Sequence, residues 1–492
     1  MNSQHPVIII GAGPIGLAAA AQLIERGQDV RILEAGDSAG AAMGEWGHIK
    51  LFSTWRYNID AAARRLLETR VPGYDGGWQA PRETRLPTGA EMVDEYLEPL
   101  AAHPALAGRI SYGHHVTNVS RIDEDGAGVD KTRTAGRGES LFLVRADTAA
   151  GPRDMVARAV IDASGTWNTP NPVGRSGIEA IGESEARAAG VVTSPLPDVL
   201  GAERERFAGK TVLVLGAGHS AANTLISLGR LRQQEPGTTV LWGLRGTANP
   251  VRLYGGGAAD ELPARGQLGS SLRRLVENGD ITIVENVAVA SMEQGEQLLL
   301  NLADGRSLAA DLVVPATGFR PDLAPLAELR LGLDPDVEAP RALGPLIDPE
   351  FHSCGTVEAH GERVLAHPEQ GFYIVGMKSY GRAPTFLMAT GYEQVRSIAA
   401  ALAGDRAAAD AVELELPETG VCSTDLAGSC DAPAAAPASA AGGCGAEPEP
   451  TGCGAEPAPV AESGCCGTPE PVTIGFATGT LHGFKELATE GS

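Results

Sequence analysis

Two short glycine-rich turns have the residue types and spacing that bind the phosphates of a dinucleotide. The first turn, GAGPIG at residues 11–16, follows a short apolar stretch and precedes an alanine-rich stretch with helical character. Gly11 permits a tight turn, Gly13 lets backbone N–H groups approach a pyrophosphate, and Gly16 lets the helix pack on the strand. The next apolar stretch ends at Glu34, where a carboxylate can accept hydrogen bonds from a ribose diol. The pattern predicts a βαβ dinucleotide-binding unit.

The second turn, GAGHSA at residues 216–221, repeats this arrangement. Gly216, Gly218 and Ala221 take the positions of the three small residues. No acid ends the following apolar stretch, and Arg245 stands just beyond it. A carboxylate would repel a 2′-phosphate and an arginine would bind it, so the sequence favours NADPH over NADH. The alternative is that Arg245 is a solvated loop residue.

Two such units in one chain predict two dinucleotides that exchange electrons, the usual partners being a tightly bound FAD and a dissociable NADPH. We therefore predict an α/β fold with two Rossmann-like dinucleotide-binding domains, the NADPH domain being inserted into the FAD domain, followed by a disordered tail that contains cysteines. The predicted limits are 1–205 for the first part of the FAD domain, 206–318 for the NADPH domain, 319–410 for the second part of the FAD domain, and 411–492 for the tail. Apolar spacing predicts helices over Ala90–Ala101, Ala222–Leu231 and Thr385–Leu402, and a strand over Arg109–Val119.

Further candidate residues follow the predicted strands. A loop of small residues after Glu34 leads into clustered aromatics, and Trp46 and Ser53 in this region are placed to approach a flat ring system. The alternative is a loop followed by an ordinary core strand. Gly165 and Gly376 come at the ends of buried stretches, where small residues let the backbone approach a cofactor. No catalytic side chain is identified by the sequence.

The charge of the chain restricts its partners. Its formal net charge is −23, which argues against nucleic acid and anionic membranes, because both are bound through basic patches. No apolar run is long enough to span a bilayer, and the apolar stretch at the start is already a predicted strand. The expected location is the cytoplasm, and the expected partner is a small-molecule substrate. The sequence does not determine the oligomeric state.

The cysteines are concentrated in the tail. Of seven cysteines only Cys354 precedes residue 417, beyond which the composition turns to Ala, Pro, Gly, Glu and Cys. Such a segment is too poor in large apolar residues to bury a core, and we expect it to be mainly disordered. The adjacent Cys465 and Cys466 are candidates for a metalloid site, because thiolates are soft ligands. The alternative is a low-complexity tail without a ligand.

Several motifs outside the two turns carry a resemblance to one group of flavoproteins. They are EWGHIKLFS at 45–53, DASGTWNTPNP at 162–172, ATGFRPDL at 316–323 and GFYIVGMKSYGRAPTF at 371–386. Over about residues 6–405 the chain resembles two-dinucleotide-binding-domain flavoproteins. Within these it is similar to flavin-binding monooxygenase-like proteins, including the actinobacterial flavoproteins encoded with arsenic-resistance genes.

The resemblance implies FAD and NADPH as cofactors, with the backbone of Val116 near the adenine of FAD. Two departures from the group stand out. The FxGxxxHxxx[YF] signature of typical flavin monooxygenases is missing, which argues against N- or S-hydroxylation of the usual substrates. The common Gly-Asp at the end of the flavin domain is Gly376-Met377 here, so another group must contact the ribityl chain. Carried over residue by residue, the resemblance implies FAD at Gly11, Gly13, Gly16 and Glu34, and NADPH at Gly216, Gly218, Ala221 and Arg245.

Three functions are compatible with these observations. The leading hypothesis is an FAD-containing, NADPH-dependent oxidoreductase of monooxygenase type, acting on a small molecule such as an arsenical. The second is an NADPH-dependent flavoprotein reductase of disulfide or metal(oid)-thiolate substrates, for which the body of the chain offers only Cys354. The third is a metalloid-binding flavoprotein without turnover.

Overall fold

The computed structural model describes residues 5–71, 74, 77–132, 135–249, 254, 263–349, 357, 359–383 and 386–414. Cys354, Cys465, Cys466 and the tail beyond residue 414 lie outside the described residues. The fold is α/β, with parallel sheets of the Rossmann type, as the sequence predicts. The strands are β1 (Val7–Ile10), β2 (Val30–Leu33), β3 (Ile110–Ser111), β4 (His115–Ile122), β5 (Leu141–Asp147), β6 (Arg153–Ala157), β7 (Ala159–Asp162), β8 (Thr211–Leu215), β9 (Thr239–Gly243), β10 (Thr282–Val284), β11 (Val289–Glu293), β12 (Leu298–Leu302), β13 (Ser307–Ala310), β14 (Leu312–Pro315) and β15 (Phe372–Ile374).

Helices flank these strands, and most of the apolar core lies between the two. A π-helical stretch, Val93–Leu97, joins two of the helices, and several single 3₁₀ turns occur in the loops. The α-helices are α1 (Pro14–Glu25), α2 (Ala41–Gly44), α3 (Trp55–Asn58), α4 (Ala61–Glu68), α5 (Gly89–Met92), α6 (Glu98–Ala102), α7 (Glu183–Ala188), α8 (Arg204–Phe207), α9 (His219–Gln234), α10 (Pro263–Glu277), α11 (Gly344–Ile347), α12 (Glu362–Leu365), α13 (Met388–Leu402) and α14 (Arg406–Asp410).

The first sheet contains the first glycine turn. Its strands run parallel in the order β15-β7-β1-β2-β3. In this register Ile10, the last residue of β1, lies between Leu33 and Asp162. The carboxyl ends of all five strands therefore meet at one edge, which is where an open parallel sheet binds its ligand.

The second sheet contains the second glycine turn and repeats this geometry. Its order is β10-β9-β8-β14, and all of its pairings are parallel. Leu215, the last residue of β8, lies between Gly243 and Pro315. Two antiparallel three-stranded sheets, β4-β5-β6 and β11-β12-β13, complete the described strands.

The chain passes between the two parallel sheets along two segments that are hydrogen-bonded to each other. The Asn171 N–H donates to the Gly318 carbonyl at 2.9 Å, and the Arg320 N–H donates to the Thr169 carbonyl at 3.0 Å. The Thr317 hydroxyl donates to the Asn171 carbonyl at 2.7 Å. Because the two crossings are bonded together, they form one paired connection.

Residues 173–193 lie against the second sheet. Val192 forms a bridge with Val313 of β14, and Ile181 forms one with Ser291 of β11. Val192 belongs to the same apolar cluster as Leu213 of β8. This segment therefore contributes to the core beneath the second glycine turn.

Three predicted elements differ from the structure at their ends. The predicted strand Arg109–Val119 is divided into β3 and β4, because Gly113 has a φ of 64° and turns the chain from the first sheet into an antiparallel one. Helix α9 begins at His219, three residues before the predicted start, since Gly218 is its N-cap. Helix α13 begins at Met388, three residues after its predicted start. Within the described residues no helix has the length and apolarity needed to cross a membrane.

A buried cluster of charges fixes the loop that leads into β15. The Glu369 carboxylate, 2 % exposed, accepts hydrogen bonds from Arg121 Nε at 2.8 Å and from Arg137 at 2.8 Å. It also accepts from the Arg330 N–H at 2.9 Å. Arg121 lies 3.6 Å from the centre of the Phe142 ring. Loss of one partner leaves uncompensated charge in the interior, which is strongly destabilising.

We expect Glu369→Ala to lower the free energy of unfolding by about 3–5 kcal/mol, because two buried guanidinium groups lose their carboxylate. Urea unfolding of the full-length protein measures this change. Asp154→Ala is the control, since it breaks a solvent-exposed pair with Arg145 on β5 and β6 and is expected to leave stability nearly unchanged. Equal effects of the two substitutions would contradict the assignment.

Candidate functional site

A cavity of about 770 Å³ runs along the ligand-binding edge of the first sheet and reaches the second glycine turn. Its volume lies within the range of small-molecule and cofactor sites. Residues at the strand ends of the first sheet, the first residues of α9 and several loops line it. Of the site residues predicted from the sequence, it is lined by Gly11, Gly13, Glu34, Trp46, Ser53, Val116, Gly165 and Gly376.

The first glycine turn has the shape needed by a pyrophosphate. A Cβ atom on Gly11, whose φ is 99°, would lie 2.8 Å from the Ala163 carbonyl oxygen, so only glycine fits between β1 and β7. A Cβ on Gly13 would meet nothing within 4 Å, which leaves open space beside the start of α1. No side chain caps this helix, and its first N–H groups remain as donors for an anion. Gly16 does not line the cavity and instead packs closely on Gly11.

Glu34 is placed at the end of β2, beside the first turn. Its carboxylate accepts hydrogen bonds from the Ala12 N–H at 2.6 Å and from the Gly36 N–H at 2.8 Å. These bonds hold the carboxylate at the wall of the cavity, where its remaining lone pairs can accept from a ribose diol. Burial and the nearby Glu34 charge raise the pKa of Tyr112. Val116 on β4 is buried and lines the same end of the cavity.

The second glycine turn reaches the cavity through the first residues of α9. His219, Ser220 and Asn223 line it, whereas Gly216 and Gly218 do not. A Cβ on Gly218 would meet nothing within 4 Å, and no side chain caps α9, so this turn offers the same phosphate-sized opening as the first.

The other two residues predicted for the second nucleotide do not line the cavity either. Ala221 is fully buried in α9, where its small side chain lets the helix pack on the sheet. Arg245 follows β9 and is exposed. It is placed at the carboxyl end of this strand, on the same edge as the second turn.

Aromatic side chains form the wall between the two turns. The ring centres of Trp46 and Trp167 are 6.4 Å apart, and those of Trp167 and Phe319 are 5.1 Å apart. Trp167 Nε1 donates to the Glu45 carboxylate at 2.8 Å. Phe319 belongs to the paired connection between the sheets. The aromatic wall is therefore attached to that connection.

A hydrogen-bonded network supports the loop that carries Ser53. The buried Asn58 donates through Nδ2 to the Ser53 carbonyl at 2.8 Å, and the Tyr392 hydroxyl donates to the Asn58 carbonyl at 2.8 Å. Asp60 accepts from Gln22 at 3.0 Å and caps α4. Burial raises the pKa of Asp60 to about 6. These hydrogen bonds connect the loop at this side of the cavity to buried residues of the core.

The structure adds three residues that the sequence analysis did not select. The Asp162 carboxylate accepts from Lys378 Nζ at 2.7 Å and from the Ser164 hydroxyl at 2.6 Å. All three residues line the cavity. Two signals in the sequence mark this group: an acid ends the buried strand β7, and a lysine follows the unusual Gly376-Met377 pair.

This architecture, with a glycine turn at the ligand-binding edge of each of two parallel sheets, is that of oxidoreductases that use two dinucleotides. The chain belongs to the pyridine nucleotide-disulphide oxidoreductase family, whose model matches residues 8–341. The predictions of an oxidoreductase enzyme and of FAD and NADPH as its cofactors are confirmed at this level. A comparison with curated protein sequences gave no significant match.

Solved structures with the same fold include enzymes of two kinds. A bacillithiol disulfide reductase from Bacillus cereus is 19% identical, with a TM-score of 0.56, over 81% of this chain and 99% of that one. A cadaverine monooxygenase of desferrioxamine biosynthesis from Erwinia amylovora is 16% identical, with a TM-score of 0.52, over 86% and 99%. An ornithine hydroxylase from Pseudomonas aeruginosa is 16% identical, with a TM-score of 0.51, over 82% and 99%. At these identities the similarity shows the fold alone.

We expect Glu34→Gln to raise the dissociation constant of FAD by about tenfold or more, because a charged acceptor is replaced by an amide with one acceptor oxygen. FAD titration of the FAD-stripped full-length protein, followed by flavin fluorescence, measures the change. Asp37→Asn is the control, since Asp37 is an exposed acid in the same loop. An unchanged dissociation constant in Glu34→Gln would exclude a role of the carboxylate in binding.

Proposed function

We propose that the protein is a monooxygenase-type enzyme in which NADPH reduces FAD and the reduced flavin activates O₂ for the oxygenation of a small molecule. The observation that carries this proposal is the cavity itself, which joins the two glycine turns and has an aromatic wall. Oxygen activation on a flavin needs a positioned cofactor shielded from water more than it needs an acidic or basic side chain. The described residues that line the cavity contain no cysteine, so they provide no dithiol for a reductase.

The proposed residue roles follow from the positions of the side chains. Along the first sheet, the FAD pyrophosphate binds to Gly11, Gly13 and the start of α1. Glu34 contacts the ribose, and Val116 lies near the adenine. Gly16 and Ala221 act by packing the two helices on their strands. For the remaining predicted residues, we propose that Trp46, Ser53, Gly165 and Gly376 face the flavin half, and that Gly216, Gly218 and Arg245 bind NADPH.

We retain as a proposal the division of the chain into an FAD domain in two parts with an inserted NADPH domain and a tail. The two parallel sheets and the paired connection between them support this arrangement. The packing of residues 173–193 on the second sheet favours a first limit near residue 170 instead of 205. The other proposed limits, near 318 and 410, are unchanged.

A second candidate is a reductase of disulfide or metal(oid)-thiolate substrates. Val357 lines the cavity and is three residues from Cys354 in the sequence. Cys354 is the one cysteine of the sequence before residue 417, and it is the thiol of the chain body that such chemistry would use, with a tail thiol as its partner. Cys465 and Cys466 are also the proposed ligands if the protein binds a metalloid without turnover.

Two narrower proposals rest on the sequence. The resemblance to flavoproteins of arsenic-resistance gene clusters, together with the soft thiolates of the tail, supports an arsenical as substrate. The concentration of six of the seven cysteines in the tail differs from a secreted disulfide framework and supports a cytoplasmic location.

Stopped-flow spectroscopy of the full-length protein distinguishes the two enzyme candidates. We expect flavin reduced by NADPH and mixed with air-saturated buffer to pass through a long-lived state whose spectrum differs from those of both the oxidised and the reduced cofactor. A substrate, with arsenite as the first probe, should shorten its lifetime. The outcome that favours the reductase is prompt reoxidation without this state, together with NADPH-driven disulfide reduction that is lost in Cys354→Ser.

The choice of pyridine nucleotide is tested at Arg245. We expect Arg245→Ala to raise the KM for NADPH about tenfold or more and to leave the KM for NADH nearly unchanged, because only NADPH carries the 2′-phosphate. Steady-state flavin reduction with each nucleotide measures both values. Arg230→Ala removes another exposed arginine, on α9, and serves as the control. Equal effects on the two nucleotides would exclude the proposed contact.

A further inference from the structure

The group formed by the buried Asp162 and Lys378 and the exposed Ser164 has no role in the account given so far. Asp162 ends β7, Ser164 lies two residues beyond it, and Lys378 follows β15. Asp162 is 1 % exposed and Lys378 is 3 % exposed. A buried ion pair is weak evidence for stability, because removing two charges from water offsets most of their attraction. Its position on a cavity wall suggests another purpose.

The hydrogen bonds of the group orient the lysine. Lys378 Nζ donates to Asp162 Oδ2 at 2.7 Å and to the Ser164 hydroxyl at 3.0 Å. Asp162 Oδ1 accepts from the Ser164 N–H at 3.1 Å and from its hydroxyl at 2.6 Å. An ammonium has three N–H donors, and among the described residues no acceptor is assigned to the third. Ser164 is exposed and lines the cavity, so the ammonium is bonded to a group at the cavity surface.

The strand order shows which part of a dinucleotide would pass this group. The ends of β2, β1, β7 and β15 lie next to one another along this edge, in that order. The residues at these four ends, which lie in the same spatial order, are Glu34, the Gly11 turn, Asp162 and Gly376. Neighbouring strands are about 4.8 Å apart. A dinucleotide with its ribose at Glu34 and its pyrophosphate at the Gly11 turn therefore extends its flavin half across β7 and β15. The first atoms beyond the pyrophosphate are those of the ribityl chain.

The backbone at this place offers few alternative donors. The Gly376 N–H donates to the Gln394 side chain at 2.8 Å and is thus already used. Gly376 also packs against Ile15 of α1, so the chain after β15 lies beside the first turn. Met377, the next residue, has no polar side-chain hydrogen. Lys378 is the nearest side chain on this segment with a strong donor.

We propose that Lys378, oriented by Asp162 and Ser164, is the hydrogen-bond donor for the ribityl hydroxyl groups of FAD in this chain. Asp162 and Ser164 are positioning residues that act through the lysine. This inference rests on FAD as the cofactor and on its orientation along the first sheet. It is independent of whether the reduced flavin then reacts with oxygen or with a disulfide.

Binding measurements on the FAD-stripped full-length protein test the proposal without NADPH or O₂. We expect Lys378→Met to raise the dissociation constant of FAD at least tenfold, because the ribityl donor is lost, and to leave that of ADP unchanged. ADP carries the adenosine and the pyrophosphate and lacks the ribityl chain. An equal loss of ADP affinity would show damage to the glycine turn and would overturn the proposal.

A double variant separates binding from folding. Lys378→Met alone leaves Asp162 buried without its cation, whereas D162N/K378M removes both charges and is expected to unfold in urea near the wild-type midpoint. The double variant should still bind FAD at least tenfold more weakly. The matched control is E393Q/R396M, which removes another buried ion pair, on α13, away from the cavity. FAD affinity equal to wild type in D162N/K378M would show that the pair is structural.

Discussion

Close contact between each glycine turn and the strand beside it is the constraint on which this structure depends. Gly11 fits directly against the carbonyl of Ala163, and Gly216 fits in the same way against the carbonyl of Ala316. Both alanines stand just before a segment that crosses between the sheets. The two glycine turns are therefore packed on the crossing segments, and hydrogen bonds join the two crossings to each other. A larger residue at either glycine would disturb the turn and the paired connection together.

The cavity combines two kinds of surface because of this arrangement. Its floor is the sheet edge, where glycine turns and helix starts present backbone N–H groups to anions. Its wall is aromatic, and Trp167 and Phe319 come from the two crossing segments themselves. A polar floor orients charged cofactors, and an apolar wall keeps water from the reactive ring. The same elements that connect the sheets thus also shape the place where two cofactors would react.

Two of the buried charge groups have different surroundings. Glu369 is enclosed by arginines and a backbone N–H, and it ties the loop before β15 to β4. The ion pair of Asp162 and Lys378 is also hydrogen-bonded to the hydroxyl of Ser164, an exposed residue at the cavity. Within the described residues the hydrogen bonds of the first group are satisfied, whereas the ammonium of Lys378 has two assigned acceptors for its three N–H donors. That difference is why we propose a binding role for Lys378 and a structural role for Glu369.

The sequence by itself determined the two glycine turns, the acid at Glu34, the α/β class and the pair of cofactors, because these follow from local spacing along single βαβ units. It placed strand and helix interiors well and their ends less well, as at Gly113 and Gly218, where one glycine redirects the chain. Only the tertiary structure decided that residues 173–193 pack on the second sheet and that Trp46, Trp167 and Phe319 form one wall. It also brought Lys378 to Asp162, which lies 216 positions away in the chain. Such contacts depend on strand order and on the packing of distant segments, and no local pattern of residues encodes them.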